Sequence, residues 1–177
     1  IPVGGSPLGV SVTPDGSKVY IANAGGNTVS VISSASNTVI GTIPVGLTPE
    51  GVSVTPDGSK VYVANHNGNT VSVISTASNT VVSTVAVGVE PVGVSVTPDG
   101  SKVYVANAND NTVSVISTAT NTVIATIAVG GAPYAFGNFI SSGPASVPTL
   151  SEWAQLMLAM MVIGVAWHFH NNRQSSY

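Results

Sequence analysis

The chain of 177 residues contains no cysteine, and only 6% of it is charged. The first absence excludes a disulfide framework and any thiolate-bound metal. The second sets it apart from ordinary soluble domains, in which roughly a quarter of residues are charged. Only four residues are basic, and three of them, Lys18, Lys60 and Lys102, are evenly spaced. That argues against a nucleic-acid binder that works through a cationic surface. What it has instead is 31 Val and 17 Thr, 27% of the chain, within an apolar content of 44%. The β-branched excess argues against a helical bundle or coiled coil. The apolar content argues against disorder.

The sequence repeats itself. Pro14-Asp15-Gly16-Ser17-Lys18 returns at Pro56–Lys60 and Pro98–Lys102, 42 residues apart each time. Tyr20, Tyr62 and Tyr104 keep that period, as do Asn23, Asn65 and Asn107. Residues 49–90 and 91–132 are identical at 33 of 42 positions. The units run at about 7–48, 49–90 and 91–132, with a partial fourth at 133–140. Within the second unit, alternating residues over 51–55 predict a strand, and Pro56-Asp57-Gly58-Ser59 predicts a turn. Strands follow at 60–65, 70–75 and 80–87, separated by His66-Asn67-Gly68-Asn69 and Thr76-Ala77-Ser78-Asn79. Four strands in about 42 residues is the spacing of a β-propeller blade. The expected fold is therefore all-β, a propeller of four-stranded blades.

The strands Val19-Tyr20-Ile21-Ala22-Asn23, Val61-Tyr62-Val63-Ala64-Asn65 and Val103-Tyr104-Val105-Ala106-Asn107 resemble the YVTN β-propeller repeat. The preceding Thr-Pro-Asp-Gly-Ser-Lys and the following Asn-Thr-Val-Ser-Val-Ile fit the same family, with Ala where its name has Thr. The resemblance covers residues 1 to about 140. It implies an exported propeller of bacterial or archaeal surface proteins, and no particular reaction. Propellers close with about four to eight blades, whereas three blades and one strand are written here. The expectation is an open fragment of a larger propeller, whose apolar blade faces should associate.

The composition changes after Phe139. Residues 141–146 read as a linker, and Leu150–Phe169 is largely apolar, with Gln155 and His168 the only clearly polar residues between Trp153 and Phe169. Twenty residues at about 1.5 Å each span the roughly 30 Å of a hydrocarbon core, so a transmembrane helix is expected over about 150–169. Thr149 and Glu152 fit a capping box, and Trp153 and Trp167 suit the two interfaces. The alternative is an amphipathic helix packed on the propeller. Val147, Pro148, Thr149, Leu150 and Trp153 resemble the IPTL-CTERM sorting signal of Gram-negative bacteria, with Val for Ile and Ala154 for Gly. The basic cluster usual in that family is reduced to Arg173 beside His168 and His170. The resemblance implies a membrane partner, an exosortase-type transpeptidase that recognises and processes the tail.

Catalytic chemistry is hard to find in these residues. Only His66 lies within the repeats, and His168-x-His170 lacks a third metal ligand. Asp15, Asp57 and Asp99 occupy identical turns, where Asp bonds its own backbone. Positions that differ between repeats are more informative. Glu50, His66, Asn67, Glu90 and Asp110 belong to connections expected to emerge on one rim, a candidate site for an unknown surface protein or glycan. Neutral drift in exposed loops would give the same pattern. The expected function is a non-enzymatic exported cell-surface module for binding, adhesion or envelope structure, without cofactor or metal. The alternative is a lactonase-like or quinoprotein-like propeller enzyme with its catalytic residues in further N-terminal blades.

Overall fold

A computed structural model describes residues 1–135. It contains three four-stranded antiparallel sheets, each a simple meander. The first blade comprises β1 (Pro7–Val12), β2 (Lys18–Asn23), β3 (Thr28–Ser33) and β4 (Thr38–Pro44). The second comprises β5 (Pro49–Val54), β6 (Lys60–Asn65), β7 (Thr70–Ser75) and β8 (Thr80–Ala86). The third comprises β9 (Pro91–Val96), β10 (Lys102–Asn107), β11 (Thr112–Ser117) and β12 (Thr122–Ala128). These are the strands expected from the repeat, and the blade architecture follows. The first strand of a blade begins two residues earlier than alternation suggests, at the proline. A 3₁₀ turn at His66–Gly68 replaces a plain loop.

The turns explain why the meander forms. Asp15 Oδ1 accepts the Thr13 hydroxyl at 2.6 Å, the Ser17 N–H at 3.0 Å and the Ser17 hydroxyl at 2.9 Å. Gly16 takes φ 70°, which a side chain would resist. Identical turns stand at Asp57 and Asp99. Asn37, Asn79 and Asn121 enter the left-handed region at the β3–β4 turn and its equivalents, a conformation Asn tolerates better than most residues.

The core lies between blades, because a blade has two apolar faces and buries each against a neighbour. Tyr20, Ala22, Val29, Val31 and Ile43 of the first blade pack with Val52, Val61, Val63 and Ile74 of the second. The next junction repeats this with Tyr62, Val71 and Val85 against Val94, Val103 and Ile116. Burial declines outward: every residue of β9 is buried and every residue of β12 is exposed. The innermost strands β1, β5 and β9 neighbour one another. A Cβ at Gly9 would strike the Glu50 carbonyl oxygen, and one at Gly51 the Val92 carbonyl oxygen. Glycine there lets adjacent blades converge on the axis.

Polar links span each junction. Lys18 Nζ donates to the Thr76 carbonyl at 2.9 Å, and the Tyr20 hydroxyl donates to Asn79 Oδ1 at 2.9 Å. One blade on, Lys60 Nζ reaches the Thr118 carbonyl at 2.7 Å and Tyr62 reaches Asn121 Oδ1 at 3.0 Å. Near the axis, the Val54 and Val96 N–H groups donate to Ser11 and Ser53 Oγ. Burial raises the Tyr20 phenol, and burial with the nearby Asp57 charge pushes Tyr62 up to about 12. Residues 133–135 form no strand, and the rest of the partial fourth unit lies outside the described residues. So do the expected linker, the transmembrane helix and the sorting motif at Val147, Pro148, Thr149, Leu150 and Trp153.

Candidate binding rim

In an antiparallel meander, connections after the second and fourth strands emerge together. Hydrogen bonds tie them directly: the Ala24 N–H donates to the Ser6 carbonyl, His66 to Thr48 and Ala108 to Glu90, at 3.0, 2.9 and 2.9 Å. Asn27, Asn69 and Asn111 make the same tie with their side chains. Each sits at φ 52–55°, and its Oδ1 accepts the N–H of Thr48, Glu90 or Ala132. The recipients are themselves left-handed and precede proline, so the rim backbone is strained at defined points. These asparagines escape notice in a search for chemistry, because their 42-residue spacing marks them only as repeat positions.

The five rim residues divide by what they do. Asp110 Oδ2 accepts the Val89 N–H at 2.7 Å, and Asn67 Nδ2 donates to Thr48 Oγ1 at 2.8 Å. Both therefore support the connector. His66 Nδ1 lies 2.9 Å from Asn67 Oδ1; an amide oxygen only accepts, so Nδ1 donates there, and Nε2 makes no hydrogen bond among the described residues. The Glu50 and Glu90 side chains make no hydrogen bond or ion pair among the described residues. Glu50 is not in a loop as expected: it is half-buried within β5, because that strand starts at Pro49. Among the described residues, no group of three or more His, Asp or Glu is placed to hold a metal ion.

The lysines lie at the opposite end, beside the Asp-Gly turns, and no ion pair engages Glu50, Glu90 or Asp110 among the described residues. That opposite end carries shallow clefts between blades, one lined by Asp57, Lys60, Asp99 and Thr118. Their polar groups are already engaged. Lys60 is held by Thr118, and hydrogen bonds from Thr97 and Ser101 bring Asp99 down to about 2. Beneath the rim, Asn23, Asn65 and Asn107 are fully buried. Asn65 Nδ2 donates to Thr70 Oγ1 and Ser72 Oγ, each at 3.0 Å, and its Oδ1 has no hydrogen-bond partner among the described residues, as at Asn23 and Asn107. No helix among the described residues is long and apolar enough to cross a membrane.

A family profile for YNCE-like β-propellers matches residues 53–141, and one for seven-bladed β-propeller lactonases matches residues 4–86. No curated protein matches. Hydrazine synthase from Kuenenia stuttgartiensis is 30% identical with a TM-score of 0.71, over 75% of this chain and 38% of that one. A functionally unknown protein from Desulfotomaculum acetoxidans is 22% identical with a TM-score of 0.64, over 72% and 44%. The WD40 repeats of RRP9 are 18% identical with a TM-score of 0.65, over 72% and 40%. The last two likenesses concern the fold alone. The chain spans less than half the length of each of these structures. With three meander blades and a profile match over half its length, the chain belongs to the YNCE-like β-propeller family.

Proposed function

We propose that this chain is an exported, non-enzymatic surface module that binds a partner through its rim. The observation that carries this is a division of labour. Repeated residues such as Asp57, Lys60 and Tyr62 hold the fold together, whereas the variable Glu50, Glu90 and His66 Nε2 make no hydrogen bond among the described residues. A rigid scaffold presenting variable, uncommitted groups is the usual arrangement of a binding surface. The partner is a surface protein or glycan of the cell envelope. In this reading Val147-Pro148-Thr149-Leu150 and Trp153 form the sorting signal, the following helix enters the membrane, and an exosortase-type transpeptidase processes it. The finer YVTN and IPTL-CTERM identities belong to the same reading.

The test uses the full chain expressed with its native export route in a Gram-negative host that encodes an exosortase. Cell fractionation should find it in the envelope, and Pro148→Ala with Trp153→Ala should shift it to another fraction. Binding to isolated envelopes should fall when Glu50, His66 and Glu90 are all changed to alanine. Unchanged binding by a folded triple variant defeats the rim assignment.

A second reading is favoured by the lactonase profile over residues 4–86. In it, the chain contributes blades to a lactonase-like or quinoprotein-like enzyme whose catalytic residues lie in other blades. Turnover of lactones, or calcium or quinone dependence, would support that reading.

A further inference from the structure

Two kinds of dipeptide in this chain can close on themselves to a cyclic succinimide. Asp-Gly stands at residues 15–16, 57–58 and 99–100, and Asn-Gly only at Asn67-Gly68. In both, the glycine nitrogen attacks the side-chain carbonyl carbon, and the missing Cβ leaves that nitrogen unhindered. The Asp-Gly pairs are guarded. Each carboxylate accepts a serine N–H on Oδ1 at 3.0 Å and the serine hydroxyl on Oδ2 at 2.8–2.9 Å. These bonds keep it ionised, and an ionised carboxyl offers no leaving group.

Asn67 differs in each respect. Its carboxamide is neutral and carries its own leaving group, ammonia. The residue is exposed, on the 3₁₀ turn His66–Gly68, whose N-cap makes no side-chain hydrogen bond. Closure requires the Asn67 backbone to leave the helical conformation, and a single short turn opens at little cost. The carboxamide is held at both ends: Oδ1 accepts from His66 Nδ1 at 2.9 Å, and Nδ2 donates to Thr48 Oγ1 at 2.8 Å. A donor on Oδ1 stabilises the negative charge that this oxygen gains when Cγ is attacked.

We propose that Asn67-Gly68 is a self-modifying site, converted without an enzyme to aspartate and isoaspartate, and that His66 promotes the conversion. The Gly68 nitrogen loses its proton to solvent base and bonds to Asn67 Cγ. The Cγ–Nδ2 bond breaks, and the nitrogen takes up a proton and leaves as ammonia. Water then adds to either carbonyl of the succinimide and opens the ring, so the sum is water in and ammonia out. The product adds a carboxylate to a rim that carries Glu50 and Glu90, and it removes the Nδ2 donor to Thr48. Isoaspartate also lengthens the main chain between two ties, His66 N–H to the Thr48 carbonyl and Glu90 N–H to Asn69 Oδ1.

The third blade supplies an internal control. Ala108-Asn109-Asp110 holds the place of His66-Asn67-Gly68; Asn109 is also exposed, but a side chain follows it and alanine precedes it. The purified full chain is incubated at neutral pH and elevated temperature, and its peptides are mapped by mass spectrometry with enzymatic detection of isoaspartate. Asn67 should convert at least about tenfold faster than Asn109, which a barrier difference of ~1.4 kcal/mol supplies. Gly68→Asp should bring Asn67 down to the Asn109 rate. His66→Ala should slow it about fivefold, the worth of one hydrogen bond. Both variants take residues that other blades hold at the same position, so neither burdens folding. In urea, which abolishes the turn, wild type and His66→Ala should convert at one rate. Asn67 converting no faster than Asn109, or Gly68→Asp converting like wild type, would overturn the site. A His66→Ala rate equal to or above wild type, or a slowing that persists in urea, would overturn the role of His66.

Discussion

The Tyr62 hydroxyl donates to Asn121 Oδ1 at 3.0 Å, joining residues 59 positions apart in sequence across the junction of the second and third blades. Lys60 Nζ shares that oxygen at 3.3 Å. The phenol ring is wholly buried while its hydroxyl reaches the edge of the junction. Apolar burial and register are thus set by one side chain.

Tyr62→Phe keeps the ring and removes the bond. Asn121 Oδ1 keeps Lys60, so no acceptor is orphaned, and the loss should be about 1 kcal/mol. Urea titration of the full chain checks this. Tyr104→Phe should leave the midpoint unchanged, because that hydroxyl makes no hydrogen bond among the described residues.

The axial glycines make a sharper prediction. Gly51→Ala drives a Cβ into the Val92 carbonyl and should destabilise by about 3 kcal/mol, at the upper end of overpacking costs. Gly41→Ala places its Cβ 3.7 Å from the Val31 side chain, an ordinary contact, and should be neutral or stabilising by about 0.5 kcal/mol. Thermal melts of the two variants should move in different directions or by very different amounts.

At Asn69 two contributions can be separated. The residue sits at φ 52° and accepts the Glu90 N–H at 3.0 Å. Asn69→Gly loses the bond and keeps the backbone at ease. Asn69→Ala loses the bond and adds left-handed strain of about 1–2 kcal/mol. Alanine should therefore be the worse substitution, the reverse of the order in an ordinary strand, and chemical denaturation will rank them.

Stability should fall at both extremes of pH. Asp15 and Asp99 are lowered from 3.8 to about 2 by hydrogen bonds from Thr13 and Thr97, then Ser17 and Ser101. Their contribution is complete above pH 3.8 and is lost as pH falls through about 2. Tyr62 is raised from 10.0 to about 12, so its contribution holds below pH 10 and is lost as pH rises through about 12. Melting temperatures measured across this range should form a plateau with both shoulders, and Asp15→Ala with Asp99→Ala should flatten the acid one.

Repetition made the blades legible in the sequence. Pro-Asp-Gly-Ser places each turn, and Val alternation places each strand, since both depend on neighbours in sequence. The start of β5 was misplaced because Pro49 pairs with Asn65 across a register slip, and that pairing has no local signature. Glu50 moved from loop to strand with it. The Tyr62–Asn121 and Asn69–Glu90 bonds were hidden for a different reason: a 42-residue period shows that positions are equivalent, not which of them meet in the next blade.

The bonds across the junctions join only adjacent blades. Lysine and tyrosine side chains of one blade donate to the next, whereas the Val54 and Val96 N–H groups donate back to Ser11 and Ser53. Cohesion is therefore a nearest-neighbour sum, and three blades share two junctions. The middle blade is held on both sides, so its amides should exchange with solvent most slowly, while the outer blades fray first.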